Sequence, residues 1–180
     1  MNIIGNFING EMQESTSGRT SPVFNPATGK QVRSVCLSSA EETTCAIETA
    51  AAAFPAWAST SSLKRARVMF RFKELLEQNI NELAELISVE HGKILSDAKG
   101  EMIRGLEVVE FATGIPHLQK GEQSMNVGTG VDSWSMMTPL GVCAGIVPFN
   151  FPAMVPMWMF PVALACGNTF VLKPCIFRSK

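Results

Sequence analysis

Between Ser133 and Leu172 the chain holds no Asp, Glu, Lys, Arg or His. Inside this stretch Val142 to Val147 is an apolar run of strand length, which Pro148, Asn150 and Pro152 break. Ala153 to Cys166 is apolar on every side, a pattern that predicts a helix buried all round. Gly167-Asn168 supplies C-cap chemistry, and Thr169 to Leu172 predicts a second strand. Two strands joined by one helix make a βαβ unit with parallel strands and a right-handed crossover. In open α/β sheets ligands bind beyond the carboxyl ends of the strands, and these ends carry Pro148-Phe149-Asn150 and Lys173-Pro174. A membrane span needs roughly 20 unbroken apolar residues. Pro148, Pro152, Pro156 and Pro161 interrupt this stretch and no basic cluster flanks it, so the pattern favours a buried βαβ. A βαβ with no ligand site fits equally, because a lysine at a strand end is common.

The residues before this stretch alternate between strand and helix signals. Ile3 to Met12 alternates around Asn9-Gly10, a hairpin signal. Ser15 to Arg19 reads as a loop. Val23 to Lys30 reads as a strand and a turn, and Gln31 to Leu37 as a second strand. Ser39 with Glu42 forms a capping box for a helix expected to stop by Pro55. Ser62 starts a second helix with Met69, Phe72, Leu75 and Leu76 on its buried side. Its basic run Lys64, Arg65, Arg67, Arg71 and Lys73 reads as a solvated face rather than a nucleic-acid patch. A third helix, Asn79 to Val89, turns Ile80, Leu83, Leu86 and Ile87 inward. It ends at His91-Gly92-Lys93, where His91 suits a C-terminal cation or cap. Ser96 or Asp97 caps a fourth helix reaching about Thr113, with Arg104 read from its own neighbours as an exposed side chain paired to Glu101 or Glu107. Gly121 to Thr138 is strand-like, interrupted by Gly128 and Gly130. No repeat or low-complexity tract is present.

Composition narrows the class. At 46% hydrophobic and 17% charged residues the chain forms a core. A net charge of −1 gives no electrostatic case for nucleic acid or an anionic membrane. Five cysteines, at 36, 45, 143, 166 and 175, form no CxxC and no metal spacing, and their odd number implies no complete disulfide framework. Cys143 and Cys166 lie in apolar runs and read as core thiols. With His91 and His117 as the sole histidines, no metal site is expected. The start MNIIGNFINGEM has neither the basic n-region and apolar h-region of a secretory signal nor an Arg-rich transit sequence. A reducing cytoplasm is the default expectation.

The segment PFNFPAMVPMWMFPVALACGNTFVLKP, Pro148 to Pro174, resembles the aldehyde dehydrogenase superfamily, and within it the CoA-acylating methylmalonate-semialdehyde dehydrogenase branch. FNPATG, Phe24 to Gly29, is similar to a segment near the start of many members. The resemblance runs from the N-terminus to Pro174. It implies an α/β fold, the N-terminal part of the aldehyde dehydrogenase architecture. Residues 1–120 would be the N-terminal strands and helices of the nucleotide-binding domain, 121–140 bridging or oligomerisation strands, 141–174 the first βαβ of the nucleotide-binding sheet, and 175–180 a divergent tail.

The resemblance further implies NAD as cofactor, coenzyme A as co-substrate, a small semialdehyde as substrate and homo-oligomers in full-length members. It implies the cytoplasm, or the mitochondrial matrix in a eukaryote. Asn150 matches an oxyanion-hole asparagine, whose amide donates to the oxygen that gains charge. Lys173 matches a lysine on the adenosine ribose, and Val147 and Phe149 match positions whose backbone borders the cofactor. Arg104 matches an arginine implicated in holding the substrate carboxylate, a task that suits a guanidinium. An acidic ribose partner falls at Ile176 and is lost. The family's nucleophilic cysteine, general-base glutamate and phosphate-binding turn all lie beyond Pro174, and Cys175 stands where members have serine. The expectation is therefore a truncated or frame-shifted piece without activity of its own, its apolar βαβ helix short of partners. The alternative is a non-catalytic interaction module that pairs with a full-length subunit.

Overall fold

The computed structural model describes residues 3–175. The chain opens with β1 (Ile3–Ile4), β2 (Asn6–Ile8) and β3 (Glu11–Gln13). β2 and β3 form the expected antiparallel hairpin, with Phe7 opposite Met12. Its turn residues Asn9 and Gly10 stand at φ 56° and 81°, the positive values that a two-residue type I′ turn requires. β4 (Thr20–Phe24) and β5 (Gln31–Cys36) are antiparallel, and β1 joins the free side of β5 in parallel.

Helix α1 (Ala40–Ser59) begins with the predicted capping box: Glu42 N donates to Ser39 Oγ (3.2 Å) and Ser39 N to Glu42 Oε2 (2.8 Å). It does not stop at Pro55. A proline removes one helical hydrogen bond, but the turn beyond is held from outside. Trp57 Nε1 donates to Leu164 O (2.9 Å), and Arg65 donates to the carbonyls of Ala58 and Thr60. Helix α2 (Ser62–Gln78) is capped by Ser61, and its basic run is not one solvated face. Lys64, Arg67 and Arg71 are exposed, but Arg65 is 5% exposed, and its guanidinium also donates to Ala165 O (2.9 Å) and Gln119 Oε1 (3.0 Å).

Helix α3 (Ile80–His91) buries Ala84 and Ile87, while Leu86 is exposed. Helix α4 (Leu95–Thr113) starts from Ile94 without a side-chain cap, and the expected cap Asp97 lies instead in the first turn. There its charge favours the helix end. Ala98, Glu101, Met102, Gly105, Val109 and Ala112 recur at helical spacing along α4 and are buried. A short α5 (Ile115–Leu118) and an antiparallel pair, β6 (Gln123–Gly128) and β7 (Val131–Trp134), lead to the parallel unit. Every residue of β6 and β7 is exposed.

β8 (Val142–Ile146) and β9 (Thr169–Lys173) are parallel, as the pattern predicted, and pair from Val142↔Thr169 to Ile146↔Lys173. The helix between them is broken into α6 (Met154–Met157) and α7 (Phe160–Ala165). Pro161 has no N–H to give to Met157, so it starts a new helix at its first turn instead of continuing the old one. Nor is the segment buried on every side, because Trp158 is exposed. It does find cover within the chain, contrary to expectation. Both pieces pack on α4, and α7 also on α2. Met157 joins Ala84, Ile87, Ala98, Met102 and Val109 in one core, and Ala165 joins Met69, Ala112 and Ile115 in another. A Cβ at Gly105 would meet the end of the Met157 side chain, which would have to move to make room. The exposed apolar surface lies elsewhere, at Leu140 (93% exposed) and Ile146 (78% exposed).

Candidate functional site

The two parallel strands end together. Val147 N donates to Lys173 O (3.3 Å), which extends the pairing one residue past β8. Pro148 has no N–H and leads the chain into a turn. Val147 is buried, Asn150 and Lys173 are exposed, and Phe149 lies half-buried against His91 with ring centroids 5.3 Å apart and planes 22° from parallel. The structure thus brings Val147, Phe149, Asn150 and Lys173 to one end of one sheet. The Asn150 side-chain amide has no protein partner among the described residues, and Lys173 forms no ion pair among them. Arg104 reaches the same turn from α4, its guanidinium carbon 5.6 Å from the centre of the Phe151 ring. It is exposed, as its neighbours suggested, but pairs with neither Glu101 nor Glu107 among the described residues.

Glu101 is turned the other way and is 0% exposed. Its Oε2 accepts from Lys93 Nζ (2.7 Å), and its Oε1 accepts from the main-chain amides of Ala153 (2.8 Å) and Met154 (3.1 Å). Lys93 Nζ also donates to the main-chain carbonyl of Asn150 (2.9 Å) and lies 4.5 Å from the centre of the Phe151 ring. A buried charge is tolerable only when paired and hydrogen-bonded, and here both conditions hold. Sequence reasoning missed both residues. The available signal was Glu101's place between Ala98 and Met102 on the apolar stripe of α4, where a carboxylate needs a partner.

His91 is the last residue of α3, and its ring Nδ1 is buried without a hydrogen-bond partner. Burial pushes its imidazole below the ordinary value of 6.5, Lys93 adds to this, and Glu101 opposes it. The ring is therefore a neutral stacking surface for Phe149 and not the C-terminal cation that its position suggested. Burial raises the Cys166 thiol, with Arg65 opposing, so Cys166 is a core thiol and not a nucleophile. No group of His, Cys, Asp or Glu among the described residues can hold a metal ion. No helix among them is long and apolar enough to cross a membrane. Ile176 to Lys180, where a divergent tail and the loss of an acidic ribose partner were expected, lie outside the described residues.

Comparison with known proteins gives a consistent result. The aldehyde dehydrogenase family pattern matches residues 12–177. A malonate-semialdehyde dehydrogenase of Pseudomonas aeruginosa is 55% identical over 174 residues, which are 97% of this chain and 35% of that protein. An acylating, mitochondrial methylmalonate-semialdehyde dehydrogenase of Arabidopsis thaliana is 52% identical over 171 residues, 95% of this chain and 28% of that protein. Among solved structures, a methylmalonate-semialdehyde dehydrogenase from Oceanimonas doudoroffii superposes with a TM-score of 0.94 at 57% identity, covering 97% of this chain and 36% of that one. A putative methylmalonate-semialdehyde dehydrogenase from Sinorhizobium meliloti complexed with NAD does so with a TM-score of 0.95 at 53% identity, covering 98% and 36%. The chain spans about a third of the length of these relatives.

Proposed function

The chain belongs to the aldehyde dehydrogenase family, and we propose that it is the N-terminal part of a CoA-acylating dehydrogenase of malonate or methylmalonate semialdehyde. One observation carries this reading. The Asn150 amide is exposed and uncommitted at the carboxyl end of two parallel strands, while the backbone around it is fixed by Lys93, between α3 and α4, and by Glu101 on α4. In the proposed reaction a cysteine thiolate adds to the aldehyde carbon. The C–S bond forms, and the carbonyl oxygen takes the negative charge. Asn150 donates its amide hydrogens to that oxygen. Fixed donors of this kind act on charge present in the transition state and need no rearrangement at that moment. Loss of a hydride from the same carbon then re-forms the C=O bond and leaves a thioester, whose acyl group passes to coenzyme A with release of the enzyme thiol.

NAD, when bound, supplies the acceptor for the hydride that leaves the same carbon. The residues present suit it: the strand ends are aligned by the Val147–Lys173 bond, and Lys173 stands exposed there as a donor for ribose hydroxyls. Val147 and Phe149 would border the cofactor with their backbone, and the stacking of Phe149 on His91 holds that wall in place. Arg104 would pair with the carboxylate of the substrate, its guanidinium oriented by the Phe151 face. The nucleophilic cysteine and the general base would belong to the part of the relatives that this chain does not span, so the 180-residue chain would have no turnover alone. We assign residues 1–120, 121–140 and 141–174 to the helical and strand framework, the subunit-bridging strands and the first βαβ of the nucleotide-binding sheet.

The test is to join residues 1–174 to the remaining part of the Pseudomonas aeruginosa relative and assay NADH formation from malonate semialdehyde. Activity that requires coenzyme A and yields the acyl-CoA supports the reading. A folded chimera that oxidises the aldehyde to the free acid, with no response to coenzyme A, contradicts it. The exposure of the β6–β7 pair favours a second reading, in which these strands pair this chain with a full-length subunit. Co-purification with such a subunit, lost when residues 121–140 are removed, would support it.

A further inference from the structure

We propose that Lys93 and Glu101 are positioning residues that fix the turn carrying Asn150, an inference that rests on the oxyanion reading of Asn150. The turn cannot hold its own shape well. Pro148 and Pro152 have no N–H to give, and the run of helix that follows is only four residues long. Its two sides are instead tied to one ion pair. Lys93 Nζ binds the carbonyl of Asn150 (2.9 Å), and Glu101 Oε1 binds the amides of Ala153 (2.8 Å) and Met154 (3.1 Å). The Lys93–Glu101 contact (2.7 Å) joins the two ties. Lys93 follows the left-handed cap Gly92 (φ 83°) that ends α3, and Glu101 stands on the core face of α4. Glu101 is thus anchored in a helix, and Lys93 in the three-residue connection between α3 and α4.

Stability alone does not account for this pair. Replacing a buried ion pair by apolar residues of similar volume is often neutral or stabilising. A carboxylate that is 0% exposed on the apolar stripe of α4 is a costly way to fill space. What the pair supplies is a set of directed bonds to main-chain atoms on both sides of residue 150. A donor displaced by about 1 Å from the charge that it must meet costs up to a hundredfold in rate. The ties set that displacement.

The experiment uses the double variant Lys93→Met/Glu101→Met, which leaves no unpaired charge in the core. In the 180-residue chain, amide exchange at Ala153 and Met154 should accelerate about tenfold or more, the equivalent of one lost charged hydrogen bond. Exchange in α2 and the rest of α4 should stay as it was. In the complete enzyme, residues 1–174 joined to the rest of the Pseudomonas aeruginosa relative, kcat should fall by roughly ten- to a hundredfold with KM for the semialdehyde nearly unchanged, while the main-chain groups left without partners lower the melting temperature. Combined with Asn150→Ala, the double variant should cost nothing further, because the donor that it positions is gone. Unchanged exchange at Ala153 and Met154, or exchange rising equally in every core helix, would overturn the proposal. So would a normal kcat for the double variant beside a crippled Asn150→Ala enzyme. If Asn150→Ala itself turns over normally while the exchange result stands, the oxyanion reading is what fails, and the clamp is left with a structural role only.

Discussion

The exposed apolar surface has a measurable consequence. Leu140 is 93% and Ile146 78% exposed. Leu140 borders a groove lined also by Ile115, Leu118, Met137 and Cys166, and Ile146 lies on β8 in a sheet of two strands among the described residues. Such a sheet leaves an unpaired edge on each side, and parallel strands are normally covered on both faces. Fully burying a side chain of this kind is worth about 1.5–3 kcal/mol, so a contact that covers both gains roughly 3–6 kcal/mol. That equals about two to four orders of magnitude in an association constant. The chain of residues 1–180 should therefore self-associate at roughly 0.1–10 mM from these two side chains alone, inside the range where exposed apolar surface drives aggregation. Leu140→Lys with Ile146→Lys should shift that association upward in concentration by about a hundredfold or more. Both positions are exposed, so the fold itself should lose no more than about 0.5 kcal/mol at each. Sedimentation velocity across a concentration series, with far-ultraviolet circular dichroism as a control on folding, reads both quantities. A native chain that stays monomeric throughout, or a folded lysine variant that associates equally well, would refute the reasoning.

Arg65→Met leaves the carbonyls of Ala58, Thr60 and Ala165 without their donor; at about 1–3 kcal/mol per orphaned acceptor, less what is regained by removing a buried charge, stability should fall by roughly 3 kcal/mol. The urea midpoint followed by tryptophan fluorescence should show it, and a loss under about 1 kcal/mol would mean that water takes over these bonds. His91 has a folded value depressed below its ordinary 6.5, so the unfolded chain takes up its proton first as pH falls. Its contribution is complete above that value and is lost as pH drops through 6.5 toward the folded value, and His91→Gln should flatten this slope in denaturation midpoints measured from neutral to mildly acidic pH. In the complete chimera, Arg104→Leu should raise KM for malonate semialdehyde and hardly touch propanal, whereas equal effects on both aldehydes would make Arg104 structural. The purified 180-residue chain should form neither NADH nor acyl-CoA with malonate semialdehyde, and turnover that persists after removal of any full-length enzyme would contradict this.

The elements most legible in the sequence were those whose signal is local. Asn9-Gly10 fixes its own turn, Ser39 and Glu42 cap their own helix, and the two apolar runs pair in parallel as predicted. Features set by tertiary contact were not legible. Pro55 failed to end α1 because Trp57 and Arg65 hold the turn beyond it from other parts of the chain. Arg65 looked like one of a row of surface cations because its acceptors, Ala165 O and Gln119 Oε1, are 100 and 54 residues away. The proposed site divides in the same way. Phe149, Asn150 and Lys173 could be placed at a strand end from the βαβ pattern, and their roles followed from resemblance. Lys93 and Glu101 could not be placed, because their partners at Asn150, Ala153 and Met154 come from a segment more than 50 residues later. A carboxylate on the apolar stripe of a helix was the one local sign that something distant had to meet it.

The most direct measurement is the steady-state kinetics of Asn150→Ala in the complete chimera, with NADH and acyl-CoA followed together. The reading of Asn150 as the transition-state donor predicts that kcat falls by about 10²–10³, as removal of one oxyanion donor does elsewhere, while KM for the semialdehyde changes little. A folded variant with unchanged kcat would contradict it, and would mean that the turn at the end of β8 serves some purpose other than stabilising the developing charge.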